Sequence, residues 1–202
     1  MSSVSRNWTQ RLVYWRMLLS MARDHTRAKV HAAALSLALD ANGTGMLTME
    51  GIAGRAGVSK QTVYRSWPST GAVLFDALLA RTADDSGRVV VPNSGDLTSD
   101  LLALATGMIE ELTDPTEEAL LRAVTADLQS DAALAAQYRE LLLGPQLSAI
   151  SARLDEAGVP ASGDVAELFV GPIFYRWLLR SQTFDPEWAS AHVARVIRSI
   201  ES

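Results

Sequence analysis

Apolar residues recur along this chain at steps of three and four, and no stretch alternates convincingly between apolar and polar. The pattern predicts helices throughout and an all-α fold. Val30, Ala34, Leu37 and Ala41 share one stripe over 27–41, and "NGTG" (Asn42 to Gly45) supplies a stop at Gly43. Thr48 is placed to cap a second helix reaching about Ala56, with Ile52, Ala53 and Ala56 inward. Gly57 then breaks the chain. Ser59 is placed to cap a short third helix ending near Trp67, and Val58 and Val63 have the spacing of a hydrophobic staple around it. Pro68 stops that helix. A fourth helix is predicted over about 71–84, and others over 97–112, 116–129, 132–157, 163–182 and 186–200, about nine in all. Pro145 and Pro172 fall inside two of these and are expected to kink or split them. "SGRVVVPNSGD" (Ser86 to Asp96) reads as a loop at a domain junction, because its three valines have no partner strand.

The second and third helices, joined through Gly57, have the layout of a helix-turn-helix. Such a unit sends its second helix into a major groove about 12 Å wide while the first lies across the backbone. On the third helix Val63 and Trp67 share one side and pack inward. Gln61 and Arg65 share the opposite side, flanked by Thr62 and Tyr64, and Lys60 sits in the first turn. This outward set suits base edges and phosphates. The same charges taken alone describe any solvated helix face; cap, staple and glycine turn together select the DNA reading.

Charge changes the picture further, because it is split. The chain as a whole has net charge -5, yet residues 1–75 hold nine Lys/Arg against three Asp/Glu, about +6, and the remainder is about -11. A basic face attracts phosphates even on an acidic molecule. The chain has no cysteine, which excludes disulfides and Cys-based zinc sites and fits a reducing cytoplasm. No run of 18 apolar residues exists, so no membrane-spanning helix and no stable membrane association are expected. Arg11, Arg16 and Arg23 interrupt the apolar positions that a signal peptide would need.

"LTMEGIAGRAGVSKQTVYRSWPSTGAVLFDAL" resembles the DNA-binding segment of the TetR family of transcriptional regulators, over about residues 27–80. "DLLALATGMIEEL", "QYRELLLGPQLSAISARLDEAG" and "AELFVGPIFYRWLL" resemble regulatory-domain segments of one branch of that family. The resemblance implies that Lys60, Gln61, Thr62 and Arg65 read bases, that Thr48, Tyr64 and Ser66 hold phosphates, and that Ser59 is the cap. The family usually carries a lysine just after "PS", against a phosphate; here Thr70 and Gly71 follow, so the resemblance does not supply that contact. Glu50, near the start of the second helix, suits the helix dipole and is taken as structural.

The resemblance also implies a homodimer held by the last two long helices as a four-helix bundle, and a small-molecule cavity in the acidic body. "VAELFVGPIFYRWLL" is apolar almost all round and must be buried on more than one side, against a partner copy or wholly within a monomer core. Leu104, Met108, Tyr138, Phe169, Phe174 and Trp177 are the candidate lining residues, each of them also suited to plain core. No buried-charge signature stands out, which favours an apolar or aromatic effector. Catalytic sets are missing: His25, His31 and His192 have no metal-ligand partner at i+4, and no HExxH, P-loop, GxGxxG or GxSxG occurs. No metal or cofactor is expected. His31 reads as a solvated or packed residue of the first helix, and the acid pairs Glu110-Glu111 and Glu117-Glu118 as solvated faces.

Residues 1–23 place Trp8, Leu12, Trp15 and Leu19 on a helical stripe with four arginines and no acid. They read as a basic arm on DNA, as an amphipathic helix on the body or a membrane surface, or as an artefact of start choice ahead of Met17 or Met21. The expected organisation is an N-terminal extension (1–25), a helix-turn-helix DNA-binding domain (26–72) and a helical ligand-binding and dimerisation domain (73–202). The expected function is a cytoplasmic, dimeric regulator, in the main a repressor, released from a palindromic duplex operator by an unidentified small molecule. The alternative is a helical ligand-carrier or protein-interaction module that has lost DNA binding.

Overall fold

The computed structural model describes residues 23–40, 47–82 and 90–201. The predicted stripe at Trp8 to Leu19, the stop at Gly43 and the predicted helix beyond Thr82 lie outside these residues. Every regular element among the described residues is helical. The chain divides into two compact units, Met1–Ala77 and Leu78–Ser202. The division falls inside a helix, ahead of the valine-rich segment, where Val90 is exposed and belongs to no strand.

The first unit contains α1 (23–40), α2 (Met49–Ala56), α3 (Lys60–Ser66) and the start of α4 (Thr70–Thr82). Val30, Ala34, Ile52, Val63 and Leu74 are fully buried and form its core. Burying a side chain of the Val, Ile or Leu class contributes about 1.5–3 kcal/mol. Thr48 and Ser59 cap α2 and α3, accepting from the N–H groups of Gly51 at 3.0 Å and Thr62 at 3.1 Å. Trp67 leaves α3 with extended backbone (φ -133°, ψ 126°), the conformation that a following proline demands.

The second unit contains α5 (Leu97–Thr113), α6 (Pro115–Asp127), α7 (Ala132–Tyr138), α8 (Gly144–Glu156), α9 (Ser162–Leu178) and α10 (Pro186–Ile200). Asp96, Asp114, Asp131 and Asp185 cap α5, α6, α7 and α10, and prolines at 115 and 186 occupy first turns, where no N–H is missed. Leu101, Leu120, Ile150, Leu154, Phe169 and Ile173 fill the core.

The predicted helix over 132–157 is interrupted by a π-helical segment, Arg139–Leu143, just ahead of Pro145. There the Gly144 N–H donates to the Arg139 carbonyl, five residues back. A Cβ at Gly144 would stand 2.8 Å from that same oxygen, so the widened turn requires glycine. Pro172, by contrast, does not split α9, which runs through it. The helix ends at Leu178, short of the expected 182. Arg180 takes a left-handed φ of 48°, and the N–H groups of Arg180 and Ser181 donate to the carbonyls of Trp177 and Arg176. This is the closure that glycine usually makes, and Gly57 and Gly158 make it after α2 and α8.

Two sequence expectations about charge are corrected. Asp100 is buried and takes both Nε and Nη2 of the buried Arg153 on one oxygen, at 2.9 and 2.6 Å, while the Ser94 N–H takes the other at 2.8 Å. A buried ion pair therefore does exist; its members are 53 residues apart, beyond any local pattern. Burial pushes Asp100 towards the neutral form, but the bonds from Ser94 and Arg153 prevail and its pKa lies below the ordinary value. Glu117 and Glu118 are not freely solvated: they pair with Arg81 and Arg122.

Candidate nucleic-acid interface

The turn between α2 and α3 closes at Gly57 in the left-handed region (φ 67°), which no β-carbon resists there. Val63, fully buried, and Trp67, nearly so, fix one side of α3 inward. Lys60, Gln61, Tyr64, Arg65 and Ser66 are exposed on the remainder. Thr62 is half-buried, with its hydroxyl 2.8 Å from that of Ser59, so two of the predicted contact residues meet at the cap. Thr48 is likewise engaged as the cap of α2.

Behind α3 lies a cluster that the sequence reading missed. Asp76 of α4 accepts from Trp67 Nε1 at 2.9 Å, from His31 Nε2 at 2.9 Å, and from Nε and Nη2 of Arg27, the former at 2.9 Å. One carboxylate thus joins α1, the end of α3 and α4. Burial opposes its charge, but the hydrogen bonds from His31, Arg27 and Trp67 and the charge of Arg27 prevail and hold its pKa well below the carboxylate range. The available signals were an acid isolated in the apolar run "VLFDALLA" and two basic side chains at i, i+4 on α1. His31 is accordingly a packed residue. Arg55 ties α2 to α1 through Asp40 at 2.6 Å and Ser36 at 2.5 Å.

Glu50 does more than face a helix dipole. Its Oε1 lies 3.4 Å from Lys60 Nζ and 3.4 Å from the Tyr64 hydroxyl, which donates to it. Its own backbone N–H, then Lys60 and Tyr64, hold its pKa below the ordinary value, so it is ionised at neutral pH.

In the second unit, Leu104, Met108, Phe169 and Trp177 are buried, and Tyr138 and Phe174 are half-buried. Phe174 and Trp177 pack with ring centroids 5.1 Å apart. Phe169 instead stacks on His192 at 5.8 Å, and His192 on Trp188 at 5.0 Å. Burial, then the charge of Glu111, push the Tyr138 phenol up to about 12. Trp177 Nε1 is buried with no hydrogen-bond partner among the described residues, while the Arg122 guanidinium lies 4.5 Å over its ring. Among the described residues no group of His, Asp or Glu has the makings of a metal site, and no helix is long and apolar enough to cross a membrane.

A capped helix, a left-handed glycine turn and a second capped helix with a basic, polar outer face define a helix-turn-helix DNA-binding protein, here with a larger all-helical unit attached. Residues 31–77 match the family model for bacterial regulatory proteins of the tetR family, and residues 91–196 that for the tetracyclin repressor-like C-terminal domain. The chain belongs to the TetR family of transcriptional regulators. It is 29% identical to the uncharacterized HTH-type transcriptional regulator YdeS of Bacillus subtilis (strain 168) over 184 residues, 85% of this chain and 90% of that protein. It is 28% identical to the DNA-binding transcriptional repressor TetR of Mycobacteroides abscessus over 137 residues, 68% and 70% of the two chains. The crystal structure of the TetR family transcription regulator SCO0332 superposes with a TM-score of 0.65 at 28% identity, covering 87% of this chain and 98% of that one. The family comprises transcriptional regulators rather than enzymes, and dimerisation, repression and release by an effector are typical of it.

Proposed function

We propose that this chain acts as a homodimer that represses transcription from a near-palindromic operator and releases it when a small molecule enters the second unit. The observation that carries the reading is the build of α3. Val63 and Trp67 fasten one side, and Lys60, Gln61, Tyr64 and Arg65 stand together on the exposed remainder. In this reading Lys60, Gln61, Thr62 and Arg65 contact bases, Thr48, Tyr64 and Ser66 contact phosphates, and Ser59 acts through its cap. The DNA-binding domain spans 26–72, and the ligand-binding and dimerisation domain 73–202.

Leu168, Tyr175 and Leu178 leave an exposed apolar side on α9, opposite its buried residues and continued by Leu179 just past its end, which supports a partner copy there. The buried Trp177 Nε1–H, without a hydrogen-bond partner among the described residues, supports an apolar or aromatic effector that carries an acceptor. A regulator of this kind works beside the chromosome, in the cytoplasm, and performs no catalysis.

Selection of bound duplexes from a random pool, followed by footprinting, tests the reading. Two inverted half-sites about one helical turn apart, or a multiple of it, are expected. A single unrepeated half-site bound with full affinity overturns the dimer. A release screen of small molecules on the recovered operator then tests the effector.

A further inference from the structure

Glu50 stands on the DNA face with no reading role assigned above. It lies in the first turn of α2, its side chain is 49% exposed, and it reaches across to Lys60 and Tyr64 of α3. The helix dipole favours an acid in this turn, but it asks for no reach across to α3, and an exposed ion pair there adds little to stability. DNA's backbone offers it nothing, since phosphates carry no donor and repel a carboxylate. The major groove does offer it donors, at the exocyclic amines, with cytosine N4 the usual partner of Glu and Asp.

We propose that Glu50 is a specificity-determining residue that accepts a hydrogen bond from a cytosine N4 in each half-site, beside the base edge taken by Lys60, and that it excludes duplexes lacking an amine there. This inference rests on the DNA-binding reading above. In the free protein, Lys60 and Tyr64 hold the carboxylate in place. On a matched site the carboxylate exchanges Lys60 for the base amine, and the ammonium is released to a neighbouring guanine. On an unmatched site the carboxylate either keeps Lys60 from its guanine or faces the groove with no donor from the DNA, and the cost falls on the wrong DNA alone.

The test is parallel selection from a random duplex pool with the wild type, Glu50→Gln, Glu50→Ala and Asp24→Asn, together with binding of each to a mixed-sequence duplex. Glu50→Gln keeps the shape and a route to Lys60 and Tyr64, but glutamine favours adenine N6/N7. The expected result is one cytosine position per half-site in the wild type, moved to adenine by Glu50→Gln and left indifferent by Glu50→Ala. Both variants bind the mixed-sequence duplex about three- to tenfold more tightly at ~0.1 M salt. Asp24→Asn, which removes an exposed acid at the start of α1, leaves the preferred bases unchanged. If Glu50→Ala fails to fold, Glu50→Gln alone carries the test. Unaltered base preference in the Glu50 variants, or no gain on mixed-sequence DNA, overturns the proposal. A wild-type protein that recovers no DNA overturns the DNA-binding reading itself.

Discussion

Asp76 collects donors from two other helices at once, and α3 is seated through it. Its lowered pKa gives the sign of its contribution: the stabilisation is fully present above the ordinary carboxylate range and is lost progressively as pH falls from there through the lowered value. Trp67→Phe keeps an aromatic side chain but removes both a hydrogen bond to a charged acceptor and part of a buried ring, so a loss of at least about 1.5–3 kcal/mol is expected in urea unfolding, with the slope unchanged. A loss near zero would mean that the indole–carboxylate contact does not matter. The outward residues behave differently. Arg65→Ala is expected to relax base preference by about 1–3 kcal/mol at one position, whereas Tyr64→Phe weakens all sequences alike, because phosphates carry no code. Selection with each variant checks this, and preferred bases altered by Tyr64→Phe but not by Arg65→Ala would invert the roles. The inward and outward sides of α3 were legible in the sequence because seven residues of one helix show a face by spacing alone. Asp76 was not, because its partners Arg27 and His31 are 49 and 45 residues away and spacing says nothing about pairing across helices.

Helix boundaries follow the same division between local and distant causes. The caps at Thr48 and Ser59 and the stop before Pro68 are chemistry of three or four adjacent residues, and the structure has them where the sequence puts them. The end of α9 was missed because arginine, not glycine, takes the left-handed position at 180, so no composition signal marks it. The π segment before Gly144 was legible only as a disturbance due at Pro145. The packing of α10 on α9 depends on His192, whose Nε2–H donates to the Phe169 carbonyl at 2.8 Å between two aromatic rings. Burial lowers its pKa, the bond to Phe169 works the other way, and the charge of Arg195 lowers it further. The unfolded chain therefore binds a proton more readily than the folded one. Stability of the second unit is expected to be full above the ordinary histidine value of 6.5 and to decline as pH falls through the lowered folded value. Urea midpoints measured across that range check it, and His192→Gln is expected to flatten this component while lowering stability at every pH. A wild-type midpoint insensitive to pH below 6.5 would count against it.

At the scale of the whole molecule, the basic first third and the acidic remainder make salt dependence the informative measurement. Binding through phosphates releases counterions, so log affinity falls with log salt by roughly 0.9 per phosphate on duplex DNA. Thr70 begins α4, and the Ser69 hydroxyl caps that end by accepting from the Ala72 N–H at 3.1 Å. A helix N-terminus favours phosphate through its free N–H groups and dipole, and a lysine there adds a charge that this chain lacks. Thr70→Lys is expected to add about one phosphate contact per subunit, steepening the slope for a dimer by nearly two units while leaving the preferred bases unchanged. The competing account is that another cation already occupies that phosphate. Arg27 is a poor choice for it, because its guanidinium is already paired with Asp76 by two hydrogen bonds. Lys29, exposed on α1, and the arginines at 6, 11 and 16 are the alternatives. If the N-terminal arginines fill the place, Thr70→Lys leaves the slope as it was and deletion of residues 1–22 flattens it. If Lys29 fills it, only Lys29→Ala does so. If all three variants keep the wild-type slope, the start of α4 does not approach DNA, and the loss of the family's usual lysine at this position carries no penalty in binding.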